Sequence, residues 1–341
     1  MTKKGKRIIS AVAGVLSILV IGMLIFMNTG PVIPGGNELF GEIMTADLPE
    51  LVTGQTGYAH NGKVKIWYEA FRPAGAPRGT VLLIMGHSAT SLRWQNFHRR
   101  FVEAGYRVVR FDNRGVGLSD WAKDWNRSRP YTLEDMARDT LAVMDTLKID
   151  RAHLVGISMG GMIAQQLAIR HGNRVASLTS IMSSGYMEDP ALHILSWRFI
   201  KQLMRIVPRY GLMPSELDQV KFQTYLFFAA DNNDANYDSR QSAFIARYEV
   251  EKHGGYNPRV VTQHNAAITA SGSRYGLLGS IRVPTLVIHG KADPVVPFEH
   301  ALKYAPMIPG AKTLFLDGMG HYIPRIHLGK IQQAILENTG R

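Results

Sequence analysis

The pentapeptide Gly156-Ile157-Ser158-Met159-Gly160 sets a single hydroxyl between two glycines. The apolar run Ala152-His153-Leu154-Val155 before it is expected to be a buried strand. Met162 to Ala168 after it is expected to be a helix. G-x-S-x-G at such a junction is the turn that presents a serine nucleophile. The turn is so tight that its flanking positions must be small, which Gly156 and Gly160 satisfy. It lifts the Ser158 hydroxyl out at a helix N-terminus, where the dipole favours a developing negative charge. Gly161 is expected to let the helix lie close to the sheet. A serine hydroxyl needs a base within reach and a third group to orient that base. Asp293, in His289-Gly290-Lys291-Ala292-Asp293-Pro294, and His321, in Asp317-Gly318-Met319-Gly320-His321, each follow a strand-like run. Functional groups of doubly wound sheets collect at the carboxyl ends of strands. Asp317 is the rival acid, but it stands too close in sequence to His321 to be its partner. The order Ser158, Asp293, His321 therefore reads as nucleophile, acid and base.

Those residues need a sheet to position them. Gly57 to Arg72 reads as a hairpin around Asn61-Gly62. Gly79 to Met85 is a continuous apolar run, as expected for a strand covered on both faces. Ser91 to Ala104 has a helical pattern, and Tyr106 to Phe111 is the next strand. Thr132 to Leu147 reads as an amphipathic helix with Thr132 as N-cap and Asp135 at the third position. Val175 to Ile181 is a further strand. The alternation then stops: about 187–278 holds helical stretches such as His193 to Ile206 and no clear strand. Strands resume at Thr285–Ile288 and end at Thr313–Leu316, and Leu328 to Asn338 is a terminal helix. Alternating strands and helices imply an α/β fold with a doubly wound, mostly parallel sheet. The helical insertion reads as a lid, and its Tyr225-Leu226-Phe227-Phe228 as lid core, with the lining of an acyl or ring pocket as the alternative.

The chain has 341 residues, 45% of them hydrophobic and 19% charged, which is the composition of a globular protein. It has no cysteine, which excludes disulfides, a thiol nucleophile and thiolate metal sites. The net charge is +12, with four cations at Lys3, Lys4, Lys6 and Arg7 and the rest spread without a basic block. This is a basic surface rather than a nucleic-acid footprint, and no nucleic-acid partner is expected. Residues 8–27 carry no charge and are long enough to cross a bilayer as a helix. Their length and the absence of an A-x-A site favour an uncleaved anchor over a secretory signal. The basic residues 1–7 would then stay in the cytoplasm, and the domain at 51–341 would lie outside it, periplasmic or extracellular. Cleavage would leave it secreted. The Gly/Pro-containing stretch 28–50 reads as a linker.

Three further segments carry a resemblance. Asp112-Asn113-Arg114-Gly115-Val116-Gly117-Leu118-Ser119 matches a D-x-R-G-x-G-x-S loop, and Leu83 to Ser88 stands where an H-G-x oxyanion segment is usual. Pro284 to Pro297 matches an acid-strand region. With the Ser158 turn they make the chain, from about Gly57 onward, similar to the α/β-hydrolase fold superfamily in its lid-bearing, esterase-like branch. Tyr131 to Gly161 resembles aclacinomycin-methylesterase-like hydrolases, which cleave a carboxylic methyl ester. The resemblance implies a serine carboxylesterase acting through an acyl-enzyme on a small, hydrophobic ester. It implies the triad Ser158, Asp293 and His321, an oxyanion hole of the Met159 and His87 N–H groups, and no cofactor or metal. Met85 departs from the histidine common before the glycine, which backbone donors tolerate. The His87 ring is open between packing and facing the pocket, while His289 is expected to pack at a strand end and Arg114 to brace its own loop. Acyl transfer and thioester, lactone or carbon–carbon hydrolysis use the same residues. A membrane-tethered binding protein without catalysis is the alternative of another class.

Overall fold

A computed structural model describes residues 17, 20–26, 33, 35–211, 215–231 and 237–340. The chain builds one eight-stranded sheet. Its strands are β1 (Gln55–Asn61), β2 (Val64–Phe71), β3 (Thr80–Ile84), β4 (Arg107–Phe111), β5 (Ala152–Ile157), β6 (Val175–Ile181), β7 (Thr285–Gly290) and β8 (Lys312–Leu316). Their order is β1-β2-β4-β3-β5-β6-β7-β8, and only β1–β2 and β2–β4 are antiparallel. Every residue of β3 and β7 is buried, as a strand covered on both faces requires. One face is covered by α3 (Leu133–Thr146), α4 (Met159–Arg170) and α10 (Glu299–Tyr304), the other by α2 (Arg99–Glu103) and α11 (Arg325–Thr339). Thr132 caps α3 in a full capping box: its side chain accepts the Asp135 N–H while Asp135 accepts the Thr132 N–H.

The insertion between β6 and β7 is helical, as expected. It contains α5 (Trp197–Tyr210), α6 (Glu216–Ala230), α7 (Ser239–Lys252), α8 (Val260–Ser271) and α9 (Tyr275–Leu278). Tyr225 stacks on Tyr210 with ring centroids 5.5 Å apart and Phe228 packs on Tyr237, so these two rings are lid core, while Phe227 packs on Arg93 and the sheet-side core.

Three regions depart from the sequence reading. Part of the expected linker, Gly36–Thr45, is a helix, α1, that buries Phe40 and Ile43 against α7. The Arg247 guanidinium of α7 donates to the Ile43 and Ala46 carbonyls, tying off the C-terminal end of α1. Ser91–Ala104 is not one helix: residues 91–98 form 3-10 turns broken at Gln95 (φ 48°) before α2 begins. The apolar span expected at 8–27 lies largely outside the described residues. Among those described, 20–26 are helical with Val20, Ile21, Met23, Leu24 and Ile25 exposed, and no helix is long and apolar enough to cross a membrane.

Candidate active site

Ser158 joins β5 to α4 with φ 55° and ψ −123°, a conformation that side chains rarely adopt. The surrounding backbone holds it there. The Ser158 N–H donates to Ile181 O at 2.8 Å, and its carbonyl accepts Gly161 N–H at 2.9 Å and Ser183 Oγ–H at 2.8 Å. The glycines are there for closeness. A Cβ on Gly156 would fall onto the Gly160 carbonyl, and one on Gly160 onto the Ile84 carbonyl of β3. A Cβ on Gly161 would meet Ser183 Oγ at 2.7 Å and Ser180 Oγ at 2.8 Å, so this glycine does bring α4 onto the sheet.

Asp293 and His321 come together from the ends of β7 and β8. His321 Nδ1 lies 2.7 Å from Asp293 Oδ2. A buried carboxylate can only accept, so Nδ1 carries the proton and Nε2 presents its lone pair. Asp293 Oδ1 accepts the Val295 and Val296 N–H groups at 2.9 and 2.8 Å. Backbone bonds lock the two loops together, Lys291 N–H to Leu316 O at 2.9 Å and Ala292 N–H to Met319 O at 3.1 Å. A Cβ on Gly290 would overlap the Met319 carbonyl, which fixes that glycine. The rival Asp317 is exposed and paired with Lys291 at 2.9 Å. Among the described residues, neither Ser158 Oγ nor His321 Nε2 has a hydrogen-bond partner.

The loop after β3 runs beside Ser158. A Cβ on Gly86 would sit 3.0 Å from Ser158 Cβ and 3.1 Å from Ile157 O. The N–H groups of His87 and Met159 are bonded to no acceptor among the described residues. The His87 ring faces lid helix α8 instead of an open pocket: Nε2 lies 3.3 Å from Val261 O and Nδ1 2.9 Å from Ser88 Oγ. Burial lowers its pKa. His264 of α8 was missed in the sequence. Its Nδ1 accepts the Ser88 N–H at 3.1 Å and its Nε2 donates to Arg114 O at 2.9 Å. Burial, with His87 beside it, pulls His264 down to about 3, so it is neutral at pH 7 and free to accept.

The Asp112–Ser119 loop supports this arrangement from below. Asn113 Nδ2 donates to Met85 O at 2.8 Å. Asp112 Oδ1 accepts the N–H and Oγ–H of Ser91, both at 2.8 Å, while Oδ2 takes Leu118 N–H at 3.1 Å and meets lid His253 Nε2 at 2.7 Å. Burial alone would raise the Asp112 carboxyl, but His253 and these donors hold it below its ordinary value. Arg114 braces the loop as expected, its Nε and Nη2 on Asp139 at 2.5 and 2.6 Å. His289 is a buried strand-end residue: Nε2 is 2.8 Å from Val296 O and 3.5 Å from Asp293 Oδ2. It was expected only to pack, yet it also lies against the acid. Among the described residues no group of His, Asp and Glu could hold a metal ion.

Comparison with known proteins agrees with this architecture. A family model described as alpha/beta hydrolase fold matches residues 79–324. The chain is 29% identical to the rhodomycin D methylesterase DnrP of Streptomyces peucetius, over 82% of this chain and 96% of that one. It is 27% identical to a 2-hydroxy-6-oxononadienedioate/2-hydroxy-6-oxononatrienedioate hydrolase of a Pseudomonas species, over 79% and 90%. Among solved structures, one described as a membrane phospholipase A, a bacterial virulence factor, superposes with a TM-score of 0.66 over 98% of this chain and 99% of that one. At 22% identity that likeness is one of fold alone. With a model match over most of its length and hydrolases as its relatives, this chain belongs to the alpha/beta hydrolase fold family and is a hydrolase.

Proposed function

We propose that the chain is a serine hydrolase of carboxylic esters, with Ser158 as nucleophile, His321 as base and Asp293 as the acid that orients it. The observation that carries the reading is the Asp293–His321 hydrogen bond at the same end of the sheet as the strained, glycine-flanked Ser158. His321 Nε2 takes the Ser158 proton as Oγ attacks the ester carbonyl carbon. Asp293 keeps the proton on Nδ1 and stabilises the imidazolium. The carbonyl oxygen becomes an oxyanion held by the Met159 and His87 N–H groups, each such donor worth about 3–4 kcal/mol. As the tetrahedral intermediate collapses, Nε2 returns the proton to the leaving alcohol and an acyl-serine remains. Water then attacks, giving its proton to Nε2. Release of the carboxylic acid restores the Ser158 hydroxyl. The Ser158–His321 hydrogen bond is expected to form when substrate closes the site, since such bonds tighten in the Michaelis complex.

Similarity to a methylesterase over 96% of that enzyme favours a carboxylic methyl ester among the possible substrates. The test is turnover of a methyl ester and of a p-nitrophenyl ester series, with Ser158→Ala beside the parent. Loss of about 10⁶-fold in kcat is expected in the variant. A folded Ser158→Ala protein with parental turnover refutes the assignment. The reading also places residues 8–27 in a membrane, with the hydrolase outside the cytoplasm. Release of the full chain into the soluble fraction on alkaline extraction of membranes overturns that part.

A further inference from the structure

Helix α5 starts on the active-site loop. The Ser196 N–H donates to Pro294 O at 2.8 Å, one residue from Asp293. The inner face of α5, with Phe199, Ile206 and Tyr210, is buried in the lid core. The outer face is unlike that of an ordinary surface helix. Trp197 is 63% exposed and Met204 43%, with Ile194 just ahead at 48%. The sequence from Trp197 to Tyr210 contains four cations, Arg198, Lys201, Arg205 and Arg209, and no acid. At about 100° per residue, Trp197, Lys201 and Met204 point straight out. Arg198, Arg205 and Arg209 form one flank, and Ile200 with Val207 the other. An aromatic and apolar face edged by cations is the pattern of a helix lying in a lipid headgroup layer.

We propose that the outer face of α5 docks on an anionic phospholipid bilayer, which sets the entrance to the Asp293–His321 site against the lipid surface. Two observations select this occupant. The charge of the helix is all positive, which complements an anionic leaflet. The face is also continuous with a second exposed apolar element: the Arg205 guanidinium lies 4.3 Å from the ring centroid of Phe26, at the end of the exposed helical residues 20–26. Trp197, with Lys201 5.8 Å from its ring centroid, is the residue that would enter the headgroup layer deepest.

The full chain is mixed with vesicles of equimolar phosphatidylcholine and phosphatidylglycerol carrying brominated acyl chains, and tryptophan emission is read. Quenching is expected, with the quenched component absent in Trp197→Phe. Lys201→Gln should weaken the anionic-lipid-dependent part about five-fold, and added salt should weaken it further. These side chains are exposed, and unchanged thermal melting confirms that the variants fold. The readout needs no turnover, so it is independent of the serine assignment. Equal quenching in parent and Trp197→Phe overturns the proposal, because the lipid contact then lies elsewhere. Equal quenching in pure phosphatidylcholine at high salt overturns it too. So does an unquenched Trp197 in a dimer that Met204→Asp dissociates, which would assign the face to a second copy of the chain.

Discussion

Gly86→Ala tests the oxyanion assignment without substituting a residue of the proposed triad. The new Cβ would lie 3.0 Å from Ser158 Cβ and 3.1 Å from Ile157 O. Carbon–carbon contacts relax at about 3.5–4.0 Å, so the two backbones must separate by roughly 0.5 Å or more. Ser158 cannot give way, since its N–H and carbonyl are bonded to Ile181, Gly161 and Ser183. The Gly86–His87 loop must move instead, against the Asn113–Met85 and Ser88–His264 bonds. A shift of that size takes an N–H···O bond from about 2.9 Å beyond the useful limit of about 3.2 Å. Losing one oxyanion donor costs about 10²–10³ in kcat. Sharing the strain across the loop would leave at least about a ten-fold loss. The assay is steady-state ester hydrolysis, with circular dichroism to verify the fold. The expected result is a lower kcat with KM within about two-fold, because the donor acts on the transition state. An unchanged kcat in a folded Gly86→Ala protein refutes the placement of His87 N–H in the hole.

Asp293→Asn should lower kcat by about 10⁴ while the protein stays folded, since the amide favours the wrong imidazole tautomer; activity within ten-fold of the parent would remove Asp293 from the reaction. Arg114→Met leaves the buried Asp139 carboxylate uncompensated and should cost about 3–5 kcal/mol in urea unfolding, with Arg114→Met/Asp139→Leu recovering most of it. Stability should fall as pH drops from about 6.5 toward 4. His264 takes a proton near 6.5 when unfolded but only near about 3 when folded, so the unfolded state binds more protons throughout that window. His264→Gln should flatten that slope by up to about 1.4 kcal/mol per pH unit, and an unaltered slope would show that His264 does not contribute.

What the sequence shows and what it hides follow from the range of the interactions. The strands are legible because burial on both faces gives β3 and β7 continuous apolar runs, Val81–Ile84 and Leu286–Ile288, and β6 begins and ends where its run does. Gly156, Gly160 and Gly161 are legible because each stands where backbone meets backbone or a neighbouring hydroxyl. The α3 boundary is legible because the Thr132–Asp135 box is local. Helix α1 is hidden because only Phe40 and Ile43 of its short span are buried, and they face a lid helix some 200 residues away. His264 is hidden for the same reason: its bond to Ser88 spans 176 residues, and no local pattern marks it among the twelve histidines. The break at Gln95 is hidden because a positive φ at a glutamine has no signature in composition.

The hidden interactions share a property that bears on how the enzyme works. The lid reaches four loops around the candidate site. It bonds Pro294 through Ser196, His321 N–H through Ala230 O at 2.8 Å, Ser88 through His264, and Asp112 through His253. Swinging the lid away as one body would break all four. Each neutral bond contributes about 1 kcal/mol net, and stranding the buried Asp112 carboxylate costs more. Opening would also remove a tie from each of the loops that hold Asp293, His321 and His87. The lid is therefore part of the scaffold that orders the proposed catalytic groups, and substrate must enter past portions of it that make none of these bonds. Such a portion is the outer face of α5, whose Trp197 and Met204 are exposed beyond the Ser196 contact.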